Sequence, residues 1–355
     1  MNRKIVNNDI ESISCNELAW HRLANKTILI TGANGFLPAY MIETLCHLNE
    51  AKRYNIKILA FARNKEKTLI RFTSYLNRSY LTFFFQDICL PIDISLKIDY
   101  IIHAASQASP KFYGIDPVGT LSANVLGTYH LLELAKSQKI EGFLYFSSGE
   151  VYGEVDLAQT PISEKNYGYL DPTHIRSCYA ESKRMGENLC VSYAHQYQLH
   201  VTIARPFHIY GPGMSLNDGR VYADFVADIF YNRDITIYGT GTAIRSFCYI
   251  ADATLGFFTL LLNGQNAQAY NIGNPDCCLS IMDLAIRLRD LFCEKELKII
   301  KKTRSLKSVY LESKITINTP DIKKIQTLGW FPKITIEEGF LRTIRSFYEL
   351  DCMQG

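Results

Sequence analysis

From Lys26 onward, short apolar runs alternate with longer stretches in which apolar residues recur every three or four positions. The runs at 28–31, 56–61, 81–85, 100–103, 143–147 and 201–205 are rich in Ile, Leu, Val, Phe and Tyr, the pattern of strands buried on both faces. Between them, 37–49, 65–76, 118–138 and 179–198 carry helical periodicity. Repeated strand–helix units of this kind predict an α/β fold built on a doubly wound parallel sheet, with ligands at the carboxyl ends of its strands. After Pro206 the pattern loosens into short strands at 236–238, 269–271 and 298–300 separated by helices, which predicts a second, smaller α/β domain. Residues 1–25 form a polar extension whose one apolar cluster, Leu18-Ala19-Trp20, is expected to pack as a short helix on the main body.

The first strand runs into Thr31-Gly32-Ala33-Asn34-Gly35-Phe36-Leu37, a turn with two glycines three apart that opens a helix. Such a turn aims backbone N–H groups and a positive helix end at an anion, usually a dinucleotide pyrophosphate. Glycine belongs where the chain curls sharply and where a Cβ would keep the phosphate away. Pro38-Ala39 stands where many dinucleotide folds place a third glycine; proline is tolerated in a first helical turn. The expected division is therefore an extension at 1–25, a dinucleotide-binding Rossmann domain at 26–205, and a mainly substrate-binding domain at 206–355. From the last, 235–262 is expected to return to the Rossmann domain.

Composition narrows the partners. The 355 residues are 47% hydrophobic with a net charge of +3, enough for a large core and too little charge for nucleic-acid binding. The ten cysteines show no CxxC pair or metal-like spacing, so no metal site is expected, and they read as reduced thiols of a cytoplasmic protein. No apolar run is long enough to span a bilayer, and the first residues lack a signal-peptide core.

Tyr179 and Lys183 stand four apart on a predicted helix, one above the other. A lysine beside a tyrosine favours the phenolate, and a phenol tuned that way can exchange a proton with a sugar oxygen while hydride moves to or from a nicotinamide. An exposed helical pair would look the same. Upstream, Ser147-Ser148-Gly149-Glu150 ends a buried strand with hydroxyls that can hold a substrate oxygen.

Taken with these motifs, the stretch from Lys26 to Tyr348 resembles the extended short-chain dehydrogenases/reductases of the nucleotide-sugar epimerase/dehydratase family. The likeness rests on the glycine turn, Asp87-Ile88, His103-Ala104-Ala105, Tyr179…Lys183, Arg205-Pro206, Tyr210-Gly211-Pro212, Arg245-Ser246-Phe247 and Asn271-Ile272-Gly273. Within it, Ala108-Ser109-Pro110, Arg176-Ser177-Cys178-Tyr179 and Asn217-Asp218-Gly219-Arg220 are similar to UDP-glucuronate decarboxylases. The resemblance implies catalytic roles for Ser148, Tyr179, Lys183 and Glu150, the last being equally readable as a structural carboxylate. It implies cofactor contacts from Gly32, Asn34, Gly35, Phe36, Leu37, Arg63, Asp87, Ile88, Ala104, Ala105, Tyr179, Lys183 and Pro206. Substrate contacts fall to Ser109, Arg176, His208, Arg220, Tyr238 and Arg245, with a nucleotide-diphosphate sugar as partner. A homodimer formed through the helix carrying Tyr179 is also implied; Met185, Leu189, Cys190, Tyr193 and Ala194 on that helix can instead face the protein's own sheet.

Several positions depart from the family pattern. Gly149 replaces the aspartate of dehydratases and the serine of decarboxylases; His208 replaces an asparagine; Gly213 replaces an arginine; Ser313 and Thr319 stand where arginines are expected. No acidic residue follows the second strand, where Arg63 stands instead, so between NAD(H) and NADP(H) the reading leans to NADP(H). The expected activity is reduction of a nucleotide-linked 4-keto-(6-deoxy)hexose at C4. Decarboxylation of a nucleotide-linked uronate and C4 epimerisation are the alternatives, and a non-catalytic dinucleotide sensor is the remote one.

Overall fold

The computed structural model describes residues 3–303, 311, 313 and 315–348. A helix α1 (Arg3–Ser14) precedes β1 (Thr27–Thr31), α2 (Phe36–Lys52), β2 (Lys57–Ala62), α3 (Lys65–Arg71), β3 (Leu81–Phe85) and β4 (Tyr100–His103). There follow α4 (Pro117–Gln138), β5 (Gly142–Phe146), α5 (Cys178–Tyr197), β6 (Val201–Pro206), β7 (His208–Tyr210), α6 (Val221–Phe230), β8 (Ile235–Tyr238) and β9 (Ile244–Tyr249). The chain continues through α7 (Ile250–Asn263), β10 (Gln268–Ile272), β11 (Cys278–Ser280), α8 (Ile281–Leu291), β12 (Ile299–Lys302), β13 (Ile317–Asn318), α9 (Lys323–Gln326) and α10 (Ile336–Phe347).

The large sheet has seven strands in the order β10-β6-β5-β4-β1-β2-β3. Every neighbouring pair in it is parallel. Strands β1, β4 and β5 are buried along their whole length, which is why their sequences run apolar without alternation. The strand order reverses between β1 and β4, so a crevice opens above their carboxyl ends. The chain's return to this sheet runs through α7 and β10, residues 250–272. Residues 235–249 instead supply β8, paired with β12, and β9, which pairs with β7, β11 and β13. Tyr270 and Ile272 of β10 are buried, and the helix before it is buried on nearly every side, so this pair completes the large sheet's edge.

The N-terminal extension is more ordered than its polarity suggests. Val6, Ile10 and Ile13, spaced as one helical stripe, bury α1 against α2, α7 and α10, and Leu18-Ala19-Trp20 leads into a single helical turn, Trp20–Leu23. Asp9 on the same face is fully buried. Its carboxylate accepts from Tyr249 at 2.7 Å, from Tyr40 at 3.2 Å and from Arg342 at 2.9 Å.

Candidate active site

A cavity of about 530 Å³ lies in the crevice, with the first turn of α2, the ends of β5 and β6 and the start of α5 on its walls. At its cofactor end Gly32 adopts φ +70°, and a Cβ there would stand 2.8 Å from Ala105 Cα. A Cβ on Gly35 would stand 2.9 Å from Gly32 O. The glycines thus leave backbone exposed where any side chain would collide, and Gly35, Phe36 and Leu37 bring the positive end of α2 to the cavity wall. These residues fit a dinucleotide pyrophosphate. The turn is pinned from behind: Thr31 Oγ1 contacts His103 Nδ1 at 2.9 Å and accepts from the Ala105 amide at 3.1 Å, while His103 Nε2 meets Thr128 at 3.1 Å. Burial, aided by the Lys183 charge, drops the His103 pKa to about 3, so it stays neutral.

Ser148 follows β5 and caps the turn Gly149–Tyr152, its Oγ accepting from the Glu150 amide at 3.2 Å. Tyr179 and Lys183 sit in the first turns of α5, both buried and both lining the cavity. Lys183 Nζ donates to Phe146 O at 2.6 Å. Burial lowers the Lys183 pKa to about 7 against the opposing pull of Glu187. Tyr179 is pushed up to about 12, first by burial and then by the Glu150 charge, with Arg220 and a hydrogen bond from Ser148 acting the other way. This corrects the expectation that the lysine would favour the phenolate. Burial is the larger effect, and the Lys183 amine is tied to a backbone carbonyl, so the phenol is held protonated and ready to donate.

A buried network stands behind these groups. Glu187, one turn beyond Lys183, accepts from Ser147 and takes two bonds from Arg205, at 2.8 and 2.6 Å. Arg205 also donates to the hydroxyls of Tyr152 and Tyr167 at 3.0 and 2.9 Å.

On the substrate side, Arg176 holds Glu150 in a two-pronged ion pair at 3.0 and 3.3 Å. Arg220 donates to Asp218 at 2.7 Å and to Ala108 O at 2.7 Å. Arg245 donates to the carbonyls of Ile244, Thr316 and Ile315 at 2.8, 3.1 and 2.7 Å. Ser109 bonds Asp218 O. All of these except Thr316 and Ile244 line the cavity, as do Arg63, Ala104, Pro206, His208 and Ser313. The His208 pKa is driven well below its ordinary value by burial and by the Arg245 and Arg220 charges, so the imidazole is neutral near pH 7.

Other predicted residues lie off the cavity wall: Gly32, Asn34 and Ala105 in or behind the turn, and Asp87 and Ile88 just beyond β3. Arg63 reaches Asp87 at 3.8 Å and is 61% exposed. Tyr238 is misplaced by the sequence reading. It is half exposed at the end of β8 and lines a separate groove with Thr236 and Lys302, because β8 belongs to the small sheet with β12. Thr319 bonds Ile162 and is absent from the wall. Sequence reasoning missed Tyr113, whose ring stacks on Tyr179, and Phe207, whose ring fills the space beside Gly149, 3.3 Å from a Cβ built there. Phe207 lies between Pro206 and His208, a signal that was available; Tyr113 carried none. Among the described residues no cluster of metal-binding side chains occurs, and no helix is long and apolar enough to cross a membrane.

A parallel sheet with a glycine turn at its switch point, faced by a buried Tyr–Lys pair, defines a dinucleotide-dependent enzyme of the extended short-chain dehydrogenase/reductase type. Residues 28–273 match the NAD dependent epimerase/dehydratase family, and the chain belongs to it. It is 33% identical over 318 residues to UDP-glucuronic acid decarboxylase 6 of Arabidopsis thaliana, covering 89% of this chain and 87% of that one. Among solved structures, UDP-glucuronic acid 4-epimerase from Bacillus cereus, in complex with UDP-glucuronic acid and NAD, aligns with a TM-score of 0.75 at 25% identity over 91% of this chain and 100% of that one. UDP-N-acetylglucosamine 4-epimerase from Methanobrevibacter ruminantium shares the fold with a TM-score of 0.77 at 21% identity, over 91% and 98% of the two chains.

Proposed function

We propose that the chain acts at C4 of a UDP-linked uronic acid, oxidising the C4 hydroxyl and then reducing the ketone again. Between the two steps the C5 carboxylate leaves as CO₂. The observation that carries this reading is a single cavity joining the glycine turn, the Ser148–Tyr179–Lys183 group and an arginine-lined half bearing Arg176, Arg220 and Arg245. It agrees with the near-full-length likeness to a UDP-glucuronic acid decarboxylase. Hydride exchange with C4 is the chemistry a nicotinamide supplies when bound. Gly35, Phe36, Leu37, Ala104, Lys183 and Pro206 would hold it; Ser148 would hydrogen-bond the C4 oxygen, and Tyr179 would accept that oxygen's proton as the phenolate in the oxidation and return it to the ketone oxygen in the reduction. Arg220 and Arg245 offer positive charge to the diphosphate, and neutral His208 offers a hydrogen bond.

A second reading, one-way reduction of a nucleotide-linked 4-ketosugar, is favoured by Tyr179 held as a proton donor and by the missing side chain at 149, where Phe207 supplies an apolar wall. Incubation with UDP-glucuronate and NAD, followed by mass spectrometry, separates the two. A UDP-pentose with release of CO₂ supports decarboxylation, and UDP-galacturonate points to epimerisation. Inert UDP-glucuronate together with NADPH oxidation on a dTDP-4-keto-6-deoxyhexose supports the reductase. Arg63 at the cavity mouth, with no carboxylate at the end of β2, favours acceptance of the NADP 2′-phosphate alongside NAD. A homodimer is also proposed, because Val118, Leu121, Leu126 and Tyr129 on α4 and Met185 on α5 are exposed apolar side chains on two helices that pack together.

A further inference from the structure

A phenol that passes a proton to a sugar oxygen has to present its hydroxyl at hydrogen-bond distance, so the plane of its ring has to be held. Tyr113 stacks on Tyr179 with ring centres 5.0 Å apart and planes 14° from parallel. It is 1% exposed, and its hydroxyl donates to Ala108 O at 3.0 Å. That same carbonyl accepts from Arg220 at 2.7 Å. The Arg176 guanidinium lies 5.8 Å from the Tyr113 ring centre while holding Glu150. The segment carrying Tyr113 is itself fastened to the loop before α6: Ser109 bonds Asp218 O, and Lys111 donates to Asn217 O at 2.8 Å.

We propose that Tyr113 is a positioning residue for Tyr179. Its stacked ring sets the plane of the phenol, and the shared Ala108 carbonyl ties that stack to Arg220 on the substrate side. The inference rests on Tyr179 being the proton-transfer group, and it extends that reading to a residue that lies off the cavity wall. The groups that face Tyr179 are Ser148 and Glu150 after β5, Lys183 on its own helix, Asp218 and Arg220 before α6, Tyr222 on α6, Tyr145 on β5 and Tyr113 itself. Tyr113 stacks on one face of the ring, so its loss opens that face while leaving those groups in place.

The test needs no substrate. In protein labelled with [¹³Cζ]tyrosine, the resonance missing from Tyr179→Phe identifies Tyr179, and its shift and linewidth are followed from pH 9 to pH 12.5, with circular dichroism confirming the fold at each pH. In folded Tyr113→Met the Tyr179 titration is expected to move down by about one pH unit as burial is relieved, and the line to broaden. A midpoint and linewidth equal to wild type overturn the proposal. Should Tyr113→Met fail to fold by circular dichroism, Tyr113→Phe decides. It keeps the stack and loses the tether to Ala108, so the midpoint stays and the line broadens; an unchanged line overturns the proposal. Because the readout is independent of turnover, failure of the proposed reaction leaves this result interpretable.

Discussion

Replacing Glu187 by glutamine removes one charge from the network behind the catalytic lysine and leaves Arg205 buried with its own. The Arg205 side chain is 2% exposed and donates two of its bonds to Glu187; the hydroxyls of Tyr152 and Tyr167 and the Glu164 carbonyl remain as acceptors. Breaking a buried pair in this way costs about 3–5 kcal/mol, and the remaining partners place this case at the lower end, about 3 kcal/mol. For a chain of this length that corresponds to a fall in Tm of about 4 °C. Scanning calorimetry and guanidinium melts read the change directly. The decisive comparison is Glu187→Met/Arg205→Met, which removes both charges and is expected to recover at least half of the loss, since the penalty lies in the unpaired cation. A Glu187→Gln protein as stable as wild type, or a double variant no better than the single one, would refute the reasoning.

His103 is held neutral, so its folded pKa lies below the unfolded value, and its contribution is complete above about pH 6.5 and lost as pH falls. Stability should drop by about 1.4 kcal/mol per pH unit from this group alone below pH 6.5, and urea melts at pH 7 and pH 5 that coincide would count against it. Gly32→Ala forces a Cβ against Ala105 at positive φ, so calorimetric titration should show at least tenfold weaker dinucleotide binding in a protein that still folds. Arg63→Ala should raise the Kd for NADPH several-fold and leave that for NADH nearly unchanged; equal effects on both would remove Arg63 from cofactor choice. If the proposed homodimer forms through α4, light scattering should find wild type dimeric and Leu126→Glu monomeric; a monomeric wild type would refute the dimer.

The strands and the glycine turn were legible because burial on both faces writes itself as continuous apolar runs, and because a Cβ at Gly32 has nowhere to go. What escaped the sequence depends on contacts between distant segments. Tyr113 looks like any loop aromatic until α5 brings Tyr179 to it. Tyr238 looked like a site residue because nothing local says that β8 pairs with β12. The sign of the Tyr179 shift was misread because the spacing to Lys183 is visible in sequence and the depth of burial is not. Helix α1 was the nearest miss: Val6, Ile10 and Ile13 recur at helical spacing, but the stripe sits in an otherwise polar extension.

The Asp9 carboxylate joins residues far apart along the chain: its partner Tyr249 lies 240 positions away and Arg342 lies 333 away. During synthesis on a ribosome, α1 precedes the other described elements and waits for 240 further positions before its acidic side chain can meet Tyr249, and for 333 before it can meet Arg342. Until then Val6, Ile10 and Ile13 lack the surfaces of α7 and α10 that cover them. Docking of the first helix therefore closes the fold, and nascent chains halted short of α10 should expose α1 to proteases while the β1–β6 half is already resistant.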